Sequence, residues 1–171
     1  MYSDKICQEE ALATESTSSQ LNGLLELNVQ KSLILLVENN SCDQLLIKRA
    51  ITLSRLAIRV EWVTNGQEAI KYLEGNGDYA NRERYPLPAL IVTDIEMPIL
   101  SGLELLTWIK GQIELTDIPV VVMSTSGDRE QAIRRGACEY LEKTHDFKSL
   151  INTLEALCSR AVQDFPLEGE V

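Results

Sequence analysis

The sequence predicts an α/β fold, a doubly wound parallel sheet of five strands with helices on both faces, and three observations point to it. Short apolar runs recur along the chain, each gives way at once to polar residues, and each is followed by apolar residues near a 3.6-residue period. Runs without alternation read as parallel strands covered on both faces. Repeated strand-helix alternation implies right-handed crossovers.

Residues 1–20 are polar, with Thr14, Ser16, Thr17, Ser18 and Ser19 clustered and no periodicity, which reads as a mobile tail. Leu21, Leu24, Leu25, Leu27 and Val29 mix the two periods, so this stretch fits a turn of helix or a short strand equally. Leu33 to Val37 is the first strand, and Leu45, Leu46, Ala50, Ile51, Leu53 and Leu56 mark the first amphipathic helix. Arg59 to Val63 follows as a strand, Asn65-Gly66 as a turn, Ala69 to Leu73 as a helix, Leu90 to Thr93 as a strand and Leu103 to Ile109 as a helix. Val120 to Met123 is the fourth strand, Arg129 to Arg135 a short helix, Glu139 to Leu141 the fifth strand and Phe147 to Arg160 the last helix. The division is an acidic tail over 1–30, one domain over 31–160 and a second acidic tail over 161–171.

Composition narrows the function. The chain has 171 residues, 44% hydrophobic and 25% charged, enough for one domain with its own core. Its net charge is -10, of which residues 1–30 carry -4 and 161–171 carry -3, so a nucleic-acid partner, which requires a basic face, is disfavoured. Four scattered cysteines, Cys7, Cys42, Cys138 and Cys158, and the single His145 encode neither a zinc cage nor a disulfide framework. The cysteines read as small buried hydrophobes of a reducing compartment. No leader-like N-terminus and no apolar stretch near 18 residues occurs, so the expectation is a cytoplasmic protein with no membrane span.

In doubly wound sheets ligands bind beyond the carboxyl ends of the strands. Those positions hold Glu38 and Asn39 after the first strand, Asp94 at the end of the third, Ser124 after the fourth and Lys143 after the fifth. Two carboxylates side by side repel unless a cation lies between them, and all-oxygen ligands select a hard ion such as Mg²⁺. A carboxylate also serves as a phosphoryl acceptor when a metal neutralises the approaching anion. Lys143 and Ser124 are suited to hold the phosphoryl oxygens. Taken singly, Glu38 and Asn39 also read as a helix N-terminal cluster, Asp94 as a turn residue and Lys143 as a surface cation; their convergence on one sheet edge favours chemistry.

The segments Leu35-Leu36-Val37-Glu38-Asn39-Asn40, Thr93-Asp94-Ile95-Glu96-Met97-Pro98 with Gly102, Pro119 to Ser124, and Gly136-Ala137 with Tyr140-Leu141-Glu142-Lys143 resemble the receiver domain of two-component response regulators over about residues 31–160. The resemblance implies a flavodoxin-like (CheY-like) fold. It implies that Asp94 accepts a phosphoryl group from a histidine kinase or a phosphotransfer protein. It further implies that Mg²⁺ is held by Asp94, the pair Glu38 and Asn39, and the backbone carbonyl of Glu96. Ser124 would close on the phosphoryl group, Lys143 would pair with it, and Tyr140 would swing inward as the switch aromatic. Two departures stand out: the family usually has a second acid where this chain has Asn39, and a proline where it has Thr144. An amide oxygen still coordinates, so weaker metal binding and slower phosphorylation are expected.

The Gly75 to Pro88 connection, the Ser124-Thr125-Ser126 run and Thr144 resemble single-domain regulators that work with bacterial phytochrome kinases. No output domain is expected after residue 160, so signalling would run through contact with a downstream protein. Arg129, Arg134 and Arg135 with Glu139, Glu142 and Asp146 give the face of the fourth helix, fifth strand and fifth helix mixed charge, suited either to a two-fold homodimer or to plain solvation. Gly75-Asn76-Gly77-Asp78-Tyr79-Ala80 has phosphate-loop spacing but follows a helix, so it is set aside. His145 reads as a loop residue, and Trp62 and Trp108 as packing residues. The alternatives are a phosphorylation-independent pseudo-receiver acting as a binding module, and an aspartate-nucleophile phosphatase. The phosphatase is disfavoured because such enzymes carry D-x-D after the first strand; the chain is read as not an enzyme.

Overall fold

The computed structural model describes residues 33–53, 58–125 and 127–143, together with Asn152 and Ala156. The expected tails over 1–30 and 161–171, His145, Thr144 and nearly all of the expected last helix lie outside the described residues. Five parallel strands form one sheet in the order β2-β1-β3-β4-β5: β1 Leu33–Val37, β2 Arg59–Val63, β3 Leu90–Asp94, β4 Val120–Ser124 and β5 Glu139–Glu142. The helices between them are α1 Ser41–Leu53, α2 Gly66–Glu74, α3 Gly102–Lys110 and α4 Arg129–Arg134. The doubly wound architecture expected from the sequence is therefore present.

The apolar runs become β1, β3 and β4, whose residues are all buried, while β2 and β5 are the half-covered edges. Side chains alternate between sheet faces along a strand. Leu33, Leu35, Val37, Ile91, Val120 and Val122 accordingly pack with Tyr72, Leu105, Leu106, Ile109 and Ala132 of α2, α3 and α4. Ile34, Leu36, Leu90, Val92, Val121 and Met123 pack on the opposite face with Ile47 and Ile51 of α1. Trp62 and Trp108 lie half-buried against these two clusters, one on each face.

Caps set the helix ends. Asn40 Oδ1 accepts from the N–H groups of Cys42 at 2.9 Å and Asp43 at 3.4 Å, so α1 begins before its apolar period becomes visible. Asn65-Gly66, which reads as a turn, is instead the cap and first residue of α2: Asn65 Oδ1 accepts from Glu68 N–H at 2.9 Å. Ser101 and Glu104 form a reciprocal capping box on α3. At the other end of α2, Gly75 adopts φ 71°, and Arg82 donates to the terminal carbonyls of Tyr72 and Leu73. Tyr72, Tyr79 and Tyr85 pack their rings tilted and edge to face, with centroids 5.1–6.0 Å apart, and burial pushes the Tyr72 hydroxyl up to about 12.

Cys42 and Cys138 correct one expectation, for both are exposed free thiols. Cys42 falls in the first turn of α1 and Cys138 in the turn entering β5, positions set by local geometry rather than by hydrophobicity.

Candidate phosphoacceptor site

The chain runs from β1 to the edge strand β2, then crosses over to β3 on the other side of β1. That reversal opens a crevice beyond the carboxyl ends of β1 and β3, where ligands of such sheets bind. Glu38 and Asp94 stand on its two sides. Glu38 extends the ladder past β1, its N–H donating to Val63 O at 3.0 Å, and its side chain is 0% exposed. Asp94 closes β3 with a side chain 6% exposed.

Lys143, immediately after β5, joins them. Its N–H donates to Ser124 O at 2.8 Å, which fixes the residue at the end of β4. Its ammonium lies 2.7 Å from Glu38 Oε2, 2.9 Å from Asp43 Oδ2 and 3.0 Å from Asp94 Oδ2, with 15% side-chain exposure. Burial alone would lower the lysine's affinity for its proton, but the hydrogen bonds it donates to three carboxylates outweigh it and hold Lys143 above the usual lysine range. Glu38 is shifted upward by burial, against the opposing pull of Lys143 and of the Asn40 N–H at 2.8 Å.

Ser124 is fully buried at the end of β4, one residue beyond the partner of Asp94 in the β3-β4 register. Tyr140, expected to swing inward, is already buried in the core with the α2, α3 and α4 side chains. Asn39 and Glu96 are exposed, and the described ion pairs of the site do not include Glu96. Asp43 is the residue that sequence reasoning missed. Its only sequence signal is an acid in the first turn of the helix after β1, which ordinarily means favourable helix-dipole placement.

The loop that follows β3 is built under tight constraint. A Cβ on Gly102 would fall 2.0 Å from the Asp94 carbonyl oxygen, and one on Gly66 would fall 2.7 Å from that of Leu100. Gly102→Ala is expected to cost about 3 kcal/mol, read by urea unfolding, because backbone rather than a flexible side chain must move. Ile99 sits at φ 72° with 75% exposure, inside a tight turn closed by Leu100 N–H to Pro98 O at 2.8 Å. A β-branched residue is strained there, and its exposed side chain gains little in return. Ile99→Asn should raise stability by about 1 kcal/mol in the same assay; a loss of that size would show that the side chain is held by contacts.

Three carboxylates against one ammonium leave a formal charge of -2 and an all-oxygen donor set. That chemistry suits a hard divalent cation bound through one or two carboxylates and water. Among the described residues the acids form no ready-made cage, the cation between them being the Lys143 ammonium.

Comparison with known proteins agrees with this geometry. Residues 34–155 match the family described as response regulator receiver domain. The probable methanogenesis regulatory protein FilR2 of Methanothrix harundinacea is 35% identical over 131 residues, 73% of this chain and 80% of FilR2. Response regulator Rcp1 of Synechocystis sp. is 31% identical over 127 residues, 72% of this chain and 84% of Rcp1. Among solved structures, the phosphorylated cyanobacterial phytochrome response regulator RcpA gives a TM-score of 0.67 at 32% identity, over 81% of this chain and 99% of RcpA. The Mn²⁺-bound form of Rcp1 gives 0.65 at 29% identity, over 81% and 99%. A family match running from β1 past β5, joined to relatives above 30% identity over most of their own length, makes this chain a member of the response regulator receiver domain family of two-component signalling.

Proposed function

We propose that Asp94 accepts the phosphoryl group and that the chain signals through protein contacts that depend on it. The observation that carries the reading is the convergence of Glu38, Asp43, Asp94 and Lys143 at the switch point of the sheet. An Asp94 carboxylate oxygen attacks the phosphorus of a phosphohistidine on a histidine kinase or phosphotransfer protein. The O–P bond forms, the P–N bond breaks, and the imidazole leaves with the electron pair. Glu38, Asn39, Asp94 and the Glu96 carbonyl would hold a divalent cation, taken as Mg²⁺, which when bound would supply charge against the incoming oxygens. Lys143, 3.0 Å from Asp94 Oδ2, is within reach of a phosphoryl group on that carboxylate, and the Ser124 hydroxyl is the second donor.

Charge added at Asp94 biases Ser124, Tyr140 and β5 toward a partner-binding state. A shift from one to ninety-nine per cent active requires about 5.5 kcal/mol of differential stabilisation. The phytochrome response regulator RcpA and the bacteriophytochrome response regulator AtBRR, each 32% identical to this chain, support a histidine kinase of the phytochrome class as the phosphoryl source. A two-fold homodimer through α4, β5 and the helix expected over 147–160 is the candidate self-contact, with plain solvation of that face as the alternative. Part of that face is engaged internally, since Arg129 pairs with Glu139 at 3.5 Å and Arg135 donates to Leu103 O at 3.2 Å. Beryllofluoride with Mg²⁺ should shift the backbone amide resonances of Ser124, Tyr140 and Lys143 in the wild type and leave Asp94→Asn unmoved. Equal shifts in both proteins would overturn the reading.

A further inference from the structure

We propose that Asp43 replaces the second acid of the cation site, supplying the negative charge that Asn39 lacks. The inference rests on the reading that this site binds a divalent cation. The resembling family places two acids directly after the first strand, giving three carboxylates with the acceptor. Here Asn39 is neutral, and Asp43 restores the number one helical turn later, its Oδ2 2.9 Å from the same ammonium that Glu38 and Asp94 hold.

Local structure explains how it gets there. The Asn40 cap fixes the first turn of α1, and Gln44 Nε2 donates to Glu38 O at 2.5 Å, tying that turn to the end of β1. Side chains of a helix lean toward its N-terminus, so a carboxylate at this position is carried back over the strand ends. Asp43 has 31% side-chain exposure while Glu38 and Asp94 have 0% and 6%, which makes its charge the most solvent-exposed of the three. Opposite charges at such distances interact strongly when partly buried.

A purely structural role has the opposite signature. If Asp43 only anchored Lys143, removing it would loosen the ammonium, which competes with any metal for Glu38 and Asp94, and metal binding would tighten or stay unchanged. The test is Mg²⁺ titration by calorimetry on the full chain, with thermal melts confirming that each variant is folded. Asp43→Asn should weaken Mg²⁺ binding about tenfold or more, and Asn39→Asp added to it should recover most of the loss. An affinity for Mg²⁺ that is unchanged or tighter in Asp43→Asn overturns the proposal while leaving Asp94 as acceptor. Absence of Mg²⁺ binding in the wild type overturns both the proposal and the cation reading beneath it.

Discussion

Lys143→Met is expected to lower the unfolding free energy by about 3–5 kcal/mol, the range for breaking a buried ion pair by removing one partner. The loss is large because Glu38 and Asp94 are buried and face each other across the crevice with that ammonium as their shared cation. The sign with pH follows from the two shifted groups. Lys143 is raised above 10.5, so its contribution is fully present below that value and is lost only as pH rises through the higher folded value. Glu38 is raised above 4.5, so the folded state favours its protonated form; that contribution is full below 4.5 and is lost as pH rises through the raised value. The deficit of Lys143→Met relative to wild type should therefore be largest near neutral pH and shrink near pH 4.5, where Glu38 gains its proton. Added Mg²⁺ should raise the Tm of the variant more than that of the wild type, because it replaces the missing positive charge. Urea unfolding at the two pH values checks the first expectation, and a deficit that grows in acid would contradict it.

Asp94→Asn should abolish phosphoryl uptake while leaving the fold standing. The carboxamide cannot form the acyl phosphate, so the expected loss is complete rather than graded. Stability survives because Lys143 keeps Glu38 at 2.7 Å and Asp43 at 2.9 Å. The strand end is also fixed by backbone contacts that do not involve the carboxylate, including Ile95 N–H to Met123 O at 3.0 Å. Retained uptake on another residue would remove Asp94 from its role.

Much of this arrangement is readable in the residues alone. The apolar runs of β1, β3 and β4, giving way to Glu38, Asp94 and Ser124, declare both the sheet and the edge where its polar groups collect, since an apolar strand has no use for them. Asp43 is hidden because its importance depends on the direction in which the first helical turn sends its carboxylate. The same holds for Gly102 and Gly66: the sequence marks them as glycines, and only the packed loop shows carbonyl oxygens where their Cβ atoms would lie. Residue type alone misplaces Cys42 and Cys138, because their exposure is decided by the turns that carry them. The burial of Tyr140 follows from the alternation of β5, which sends its ring into the core with the α4 side chains.

The most direct measurement is intact mass after incubation with Mg²⁺ and acetyl phosphate, run in parallel on wild type, Asp94→Asn and Asn39→Asp. A single phosphoryl adduct in the wild type, absent from Asp94→Asn and formed faster in Asn39→Asp, is the expected result. No adduct in the wild type alongside one in Asn39→Asp would contradict it, and would make the chain a binding module that signals without phosphate.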